Sequence, residues 1–167
     1  QSDNLGSGLS TIDLSTNGTL DWGIWQGPAD LGAPTESMDG GSGFTNISLL
    51  PGTTNTNLTY PKPSRIYTWS NGTNAGTGGT TSGSSNHLRV LPGSIDQGVS
   101  LTLSVTAAGS YQAVFYASTF GIKLDGIASL TNGKVTDTNT AGVIGSGVQN
   151  YAFTVDFTTD GADTVTI

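Results

Sequence analysis

The chain has 167 residues, enough to bury one sizeable core and too few for two ordinary domains. Only 10% of them are charged, with 5 Lys plus Arg against 12 Asp plus Glu and a net charge of -7; about a quarter charged is usual for a soluble domain. The scarcity of cations excludes a phosphate-binding face for nucleic acid and a polybasic membrane-binding segment, and no apolar run is long enough to insert into a membrane. The lack of cysteine excludes disulfides, thiolate nucleophiles and Cys-ligated metals. Ser, Thr, Gly and Asn supply the polarity instead, a composition suited to a secreted or cell-surface protein. The opening Gln1-Ser2-Asp3 reads as a processed terminus or a trimmed domain boundary.

No apolar stripe holds helical spacing for three turns, whereas period-two alternation between turn signals recurs along the chain. In chain order, strands are expected at Leu9–Ser15, Leu20–Trp25, Phe44–Leu50, Arg65–Ser70 and His87–Leu91. The clearest strand follows at Val99–Thr106, where every odd position is apolar and every even one carries a hydroxyl. Tyr111–Ala117 is apolar on both faces and reads as a central strand covered on each side. Ile122–Leu130, Tyr151–Phe157 (aromatics on the inner face) and Asp163–Ile167 complete the set. Asn17-Gly18, Asn71-Gly72, Asn132-Gly133 and Asp160-Gly161 accept the positive φ of two-residue hairpin turns. Two Gly-rich stretches, Gln26–Gly43 and Gly72–Ser85, read as long loops. About ten short strands with frequent turns imply an all-β, antiparallel two-sheet β-sandwich of jelly-roll type, folded as a single domain.

Gly18-Thr19-Leu20-Asp21-Trp22-Gly23-Ile24-Trp25 resembles a Gly-Thr-x-Asp-Trp-x-x-Trp signature of galactose-binding-like jelly-roll domains in large secreted bacterial proteins. Tyr67-Thr68-Trp69-Ser70-Asn71-Gly72-Thr73 is similar to a second segment of those domains, and Ser100–Val105, Tyr111–Ala117 and Leu130–Gly133 continue the likeness. The resemblance implies a jelly roll and an extracellular setting beside catalytic or adhesive modules. It carries over no binding residues. The acidic stretch after Trp25 departs from the pattern.

Catalytic chemistry finds few candidates. His87 is the sole imidazole and stands in a strand-like run without a nucleophile elbow. Glycoside hydrolysis needs two carboxyls in different protonation states, and Glu36, the one glutamate, lies in a Gly/Pro-rich stretch. The chain therefore reads as a non-enzyme with no required cofactor. Structural calcium is the ion that the loop oxygens of Asp30, Glu36 and Asp39 would suit, with Asp21 or Asp125 as further ligands; solvated loop acids are the simpler reading. Trp22, Trp25 and Trp69 are the candidate platforms for stacking on a sugar ring. Trp22 and Trp25 stand three apart on a strand and so point to opposite faces, which places one of them in the core. Four Asn-x-Ser/Thr triplets, at Asn17, Asn46, Asn57 and Asn71, match what the composition produces by chance. Lys62, Lys123 and Lys134 are the lysines available for an intramolecular Lys–Asn bond.

The segment 1–15 and the run Thr164–Ile167 read as edge strands that could seek a partner chain, with Leu9, Ile12, Leu14, Val165 and Ile167 as subunit-contact candidates. Head-to-tail contacts of that kind build filaments when their rotation does not close. The expected role is a non-catalytic extracellular structural or adhesive subunit whose partners are its own copies or other surface proteins. The alternative is a carbohydrate-binding module for polysaccharide.

Overall fold

The computed structural model describes residues 2–6, 11–25, 31–32, 34, 36–41, 43–59, 66–72, 79–82, 86–91, 97–120, 124–131, 136–141 and 148–167. These residues are mostly strand, in several sheets of largely antiparallel pairing, with one helix of a single turn, so the protein is all-β. Among them no helix is long and apolar enough to cross a membrane. Two compact units emerge: Leu9–Ser104, and Gln1–Gly8 together with Val105–Ile167.

In the Leu9–Ser104 unit, β2 (Thr11–Asp13) gives way at once to helix α1 (Leu14–Asn17). The expected strand Leu9–Ser15 is cut short because the Asp13 side chain accepts hydrogen bonds from the Ser15 and Thr16 amides, at 2.9 and 3.3 Å. It thereby caps the helix N-terminus and satisfies donors that a continuing strand would send to a neighbour. Asn17-Gly18 accordingly ends the helix instead of turning a hairpin, with the Gly18 amide donating to the Leu14 carbonyl at 2.7 Å. Strand β3 is only Gly23–Ile24 and pairs with β4 (Glu36–Ser37), inside the stretch expected to be loop.

Strand β5 (Phe44–Leu49) pairs antiparallel with β10 (Val99–Val105). Leu101 faces Ile47, and a bulge that skips Thr45 then sets Leu103 opposite Phe44. The alternation in β10 buries Leu101 and Leu103 as its period-two pattern requires. β6 (Thr54–Thr59) pairs with β9 (Asn86–Leu91). β7 (Ile66–Trp69) lies parallel to β2 and antiparallel to β8 (Gly79–Ser82). β8 occupies part of the second expected loop; a run of Gly, Thr and Ser carries no alternation, and only the partner strand reveals it.

In the other unit, β14 (Val148–Thr159) is central, between β1 (Ser2–Gly6) and β11 (Gly109–Phe120). β11 and β14 form an antiparallel ladder without a bulge from Gly109↔Thr159 to Phe120↔Val148. This places β11 at one side of the described sheet and not at its centre; on one face Gln112 is exposed while Val114 and Tyr116 are half-buried. The inward face stacks Tyr111 on Phe157, ring centroids 5.5 Å apart, and sets Phe115 opposite the buried Phe153. Strands β12 (Leu124–Leu130), β13 (Thr136–Ala141) and β15 (Asp163–Thr166) form the second set, with β12 between its neighbours. β15 thus pairs with β12 and not with β14. Asp160-Gly161 therefore carries the chain between sheets instead of closing a hairpin.

Val165 on β15 is 1% exposed and is the most completely buried large side chain among the described residues, whereas Ile127 on the outer face of β12 is 57% exposed. Removing two methyl groups at Val165 leaves a void that neighbours fill only in part. Val165→Ala is expected to lower unfolding free energy by about 2 kcal/mol in urea denaturation, and Ile127→Ala by less than about 0.5 kcal/mol. Burial raises the Tyr116 phenol above its ordinary 10.0. Its contribution to stability is complete below about pH 10 and is lost as pH rises through the folded-state value. Melting temperatures recorded between about pH 8 and 11 should fall more steeply above 10 for the native chain than for Tyr116→Phe.

Candidate functional site

The residues that stand out in the sequence converge on one place in the Leu9–Ser104 unit. Asp21 lies in the irregular run between α1 and β3, and its carboxylate turns back onto the main chain. Oδ1 accepts from the Trp22 amide at 2.8 Å, while Oδ2 accepts from the amides of Gly43 and Phe44 at 2.6 and 2.9 Å. Charge-assisted bonds of this kind are stronger than neutral ones. They fasten the chain before β3 to the start of β5, 22 positions away. Gly41 lies so close to this carboxylate that a Cβ there would overlap it.

Trp22, held by that anchor, is 3% exposed and its ring lies 5.5 Å from that of Trp69, which is 5% exposed. The Trp22 indole Nε1 donates to Asn71 Oδ1 at 3.1 Å. A Cβ on Gly72 would come within 2.5 Å of the Trp22 ring, so only glycine admits the indole at this distance. The backbone continues the join: the Met38 amide donates to the Trp22 carbonyl at 3.1 Å, and the Asp39 amide to the Asn71 carbonyl at 3.3 Å. Asp-Trp in one segment and Trp-Ser-Asn-Gly in the other are thus two halves of a single packing unit. Asn71-Gly72 is a contact surface for an indole and not a hairpin turn, contrary to expectation.

A buried indole offers no face to a sugar. Trp69 Nε1 is buried without a hydrogen-bond partner among the described residues. Trp25 is half-buried; strand β3 is only Gly23–Ile24, so neither indole lies on it and strand alternation does not set their burial. Trp25 Nε1 donates to the Gly32 carbonyl at 3.0 Å, its ring meets Phe44 edge-on, and it folds back over Gly23.

The subunit-contact candidates turn inward. Ile12 and Leu14 are each 7% exposed and Val165 is buried, while Ile167 is half-buried. Leu9 lies outside the described residues. Of the calcium candidates, Asp39 is exposed in a turn, Asp30 lies outside the described residues, and Glu36 is described only through its backbone pairing with Ile24. Among the described residues no group of three His, Asp or Glu comes together. Asp21 already holds its backbone donors, and the side chains of Asp125 and His87 are not among those described. Lys62, Lys123 and Lys134 also lie outside.

A second feature escaped the sequence reading. The outer face of the β11–β14 ladder carries two directly opposed polar pairs, Ser110↔Thr158 and Gln112↔Asp156, all exposed. Gln112 Nε2 donates to Asp156 Oδ1 at 2.8 Å. These residues, with Tyr111 and Phe157, line an open depression of about 520 Å³. The connection before β11 is clamped beside it, since the Ala107 carbonyl accepts from Tyr111 Oη at 2.8 Å and from the buried Thr159 Oγ1 at 3.0 Å. Polar residues at 154, 156 and 158 are a signal of this face. The apolar surroundings of Gln112 obscured the other strand's share.

The indole cluster predicts an ordered series of stabilities. Asp21→Ala strands the Gly43 and Phe44 amides and should cost about 3 kcal/mol, Gly72→Ala about 1–3 kcal/mol through overpacking. Trp22→Phe, which removes the donor to Asn71 Oδ1, should cost more than Trp69→Phe, which removes a donor with no acceptor among the described residues. Equilibrium urea denaturation checks all four. The chain matches no protein-family model, no curated protein and no solved structure.

Proposed function

We propose that the chain is a non-catalytic extracellular structural or adhesive subunit, built as a jelly-roll-like β-sandwich and able to assemble with its own copies. The observation that carries this reading is the placement of β1. Ser2–Gly6 adds to the edge of β14, in the register Ser2↔Phe153, Asp3↔Ala152, Asn4↔Tyr151, and its pairing shifts between Asn4 and Gly6. It thereby belongs to the unit formed by Val105–Ile167, although the next described strand, Thr11–Asp13, belongs to the other unit.

Ser, Asp, Asn and Gly make up all of β1 but Leu5, so ladder hydrogen bonds supply most of its hold. A segment of that kind leaves and re-enters a sheet edge at modest cost, and the same edge of a second copy presents the same ladder. Exchange of an identical element is a low-cost route to oligomers. Ile12, Leu14 and Val165, as core residues, take no part. The low charge density supports close approach between copies, since repulsion is small for the surface involved. The sparse charge and the hydroxyl-rich strands also support the extracellular setting.

The chain contains no cysteine, so an introduced pair reports strand exchange without competition. Asp3→Cys with Ala152→Cys places the two thiols at directly opposed positions. After mild oxidation, non-reducing gels should show ladders of covalent oligomers, and light scattering of the native chain should show assemblies that disappear when residues 2–6 are deleted. A disulfide closed within one chain at every concentration, with a monomeric mass for the native protein, would sink the assembly role.

A further inference from the structure

We infer that the outer edge of β11 is a contact surface for the β11 strand of a second copy, the two pairing antiparallel about a two-fold axis. The inference rests on the assembly proposed above and adds a contact separate from β1 exchange. β14 pairs with one edge of β11 along its whole length, and no described strand pairs with the other edge. The amides and carbonyls of such an edge are a template for one further strand.

What sets β11 apart is the lack of any device that discourages this pairing. Sheet edges are ordinarily protected by charged side chains, proline, a bulge or shortness. Among the other outer strands, β1 carries Asp3 and a register shift, and β5 is bulged. β2, β4, β9 and β13 hold Asp13, Glu36, Arg89 and Asp137. β3 and β8 have two and four residues, and β6 has six, all polar but Leu58. β11 runs for 12 residues with no charge, no proline and no bulge, and it is rich in Tyr, Phe and Val. The clamp on the Ala107 carbonyl holds its beginning in place.

The β11 of a second copy is the occupant that fits this edge. It is equally long and equally bare, and two uncharged strands approach without repulsion. Directly opposed residues of an antiparallel pair point to the same side. The inner faces of both copies therefore stay together only when residues of like parity are opposed, which puts the two-fold axis on a residue and not between two. Axes at Val114 and Phe115 give the longest overlap. Phe115 already packs against Tyr151 and Phe153, whereas Val114 lies half-buried on the opposite face, so Val114 is the axis residue. It then meets its own copy as a β-branched pair, in a ladder that runs from Gly109 to Thr119.

The place of β11 in its sheet gives the contact its consequence. The order is β1-β14-β11, so exchange at β1 and pairing at β11 use opposite edges. Pairing at β11 joins the three strands of each copy into one continuous sheet. A two-fold contact alone stops at a pair, whereas contacts on two opposite edges extend the copies in a row.

Single cysteines in the full chain, which has none of its own, test the contact. A Val114→Cys thiol on the axis lies directly opposite its copy, within the Cα separation that a disulfide spans. Under mild oxidation Val114→Cys should form covalent dimers at least about tenfold faster than Gln112→Cys, Thr158→Cys or Ile127→Cys, because pairing raises the local thiol concentration. Those three positions are exposed and Val114 is half-buried, so random collision gives the opposite order. Val114→Lys sets two ammonium groups face to face and should lower the light-scattering mass of the assemblies at least about twofold, since one of two contacts is lost. Val114→Thr should keep that mass. Thermal melts verify folding, and the cysteine series decides if Val114→Lys does not fold. Val114→Cys dimers no faster than the three comparisons, or an unchanged mass for folded Val114→Lys, would each overturn the contact. Ladders from the Asp3→Cys, Ala152→Cys chain without Val114→Cys dimers leave exchange standing and remove this contact. Val114→Cys dimers, with the exchange disulfide closed within one chain, do the reverse.

Discussion

The Asp21 carboxylate is the constraint on which the Leu9–Ser104 unit depends. Its three backbone donors come from two stretches of chain, and accepting them holds the carboxylate in place. That fixes where Trp22 begins and where β5 starts. Trp22 then has one place to go, against Trp69 and over Gly72, with its single polar atom met by Asn71. Remove the carboxylate, and the indole cluster loses the anchor that aims it.

A consequence is that the most conspicuous residues of the chain face inward. Tryptophan draws the eye as a sugar platform, yet it is also the side chain with the largest apolar surface to bury. The glycines beside Trp22 decide between these uses. Gly18 and Gly72 leave no room for a Cβ against it, a closeness that only a packed interior needs. Gly18–Trp25 and Tyr67–Gly72 therefore meet as packing around buried indoles, and they locate no ligand.

The surface tells a different story from the core. On β14 the inward residues Phe153, Val155 and Phe157 are buried while Asp156 and Thr158 on the other face are exposed. The same alternation that builds the core thus lays out an orderly polar face behind it. Its order comes from the ladder with β11, which sets amide against carboxylate and hydroxyl against hydroxyl. β1 on the other side of β14 completes the sheet with a segment that brings little apolar area of its own.

What the sequence by itself determined was the class of structure and much of the strand content. Val99–Thr106 alternates strictly and Tyr151–Phe157 alternates from Phe153 onward, and a period of two has only one regular conformation that buries it on one face. Tertiary structure alone decided the rest. β1, β8 and β13 are polar strands defined by their partners, because backbone pairing leaves no mark on side-chain pattern. The capping by Asp13 and the anchoring by Asp21 involve a carboxylate choosing among backbone donors, a choice set by which amides the fold leaves unpaired. Gln112 and Asp156 lie 44 positions apart. Only the register of two long strands, fixed by which face must be buried, brings them together.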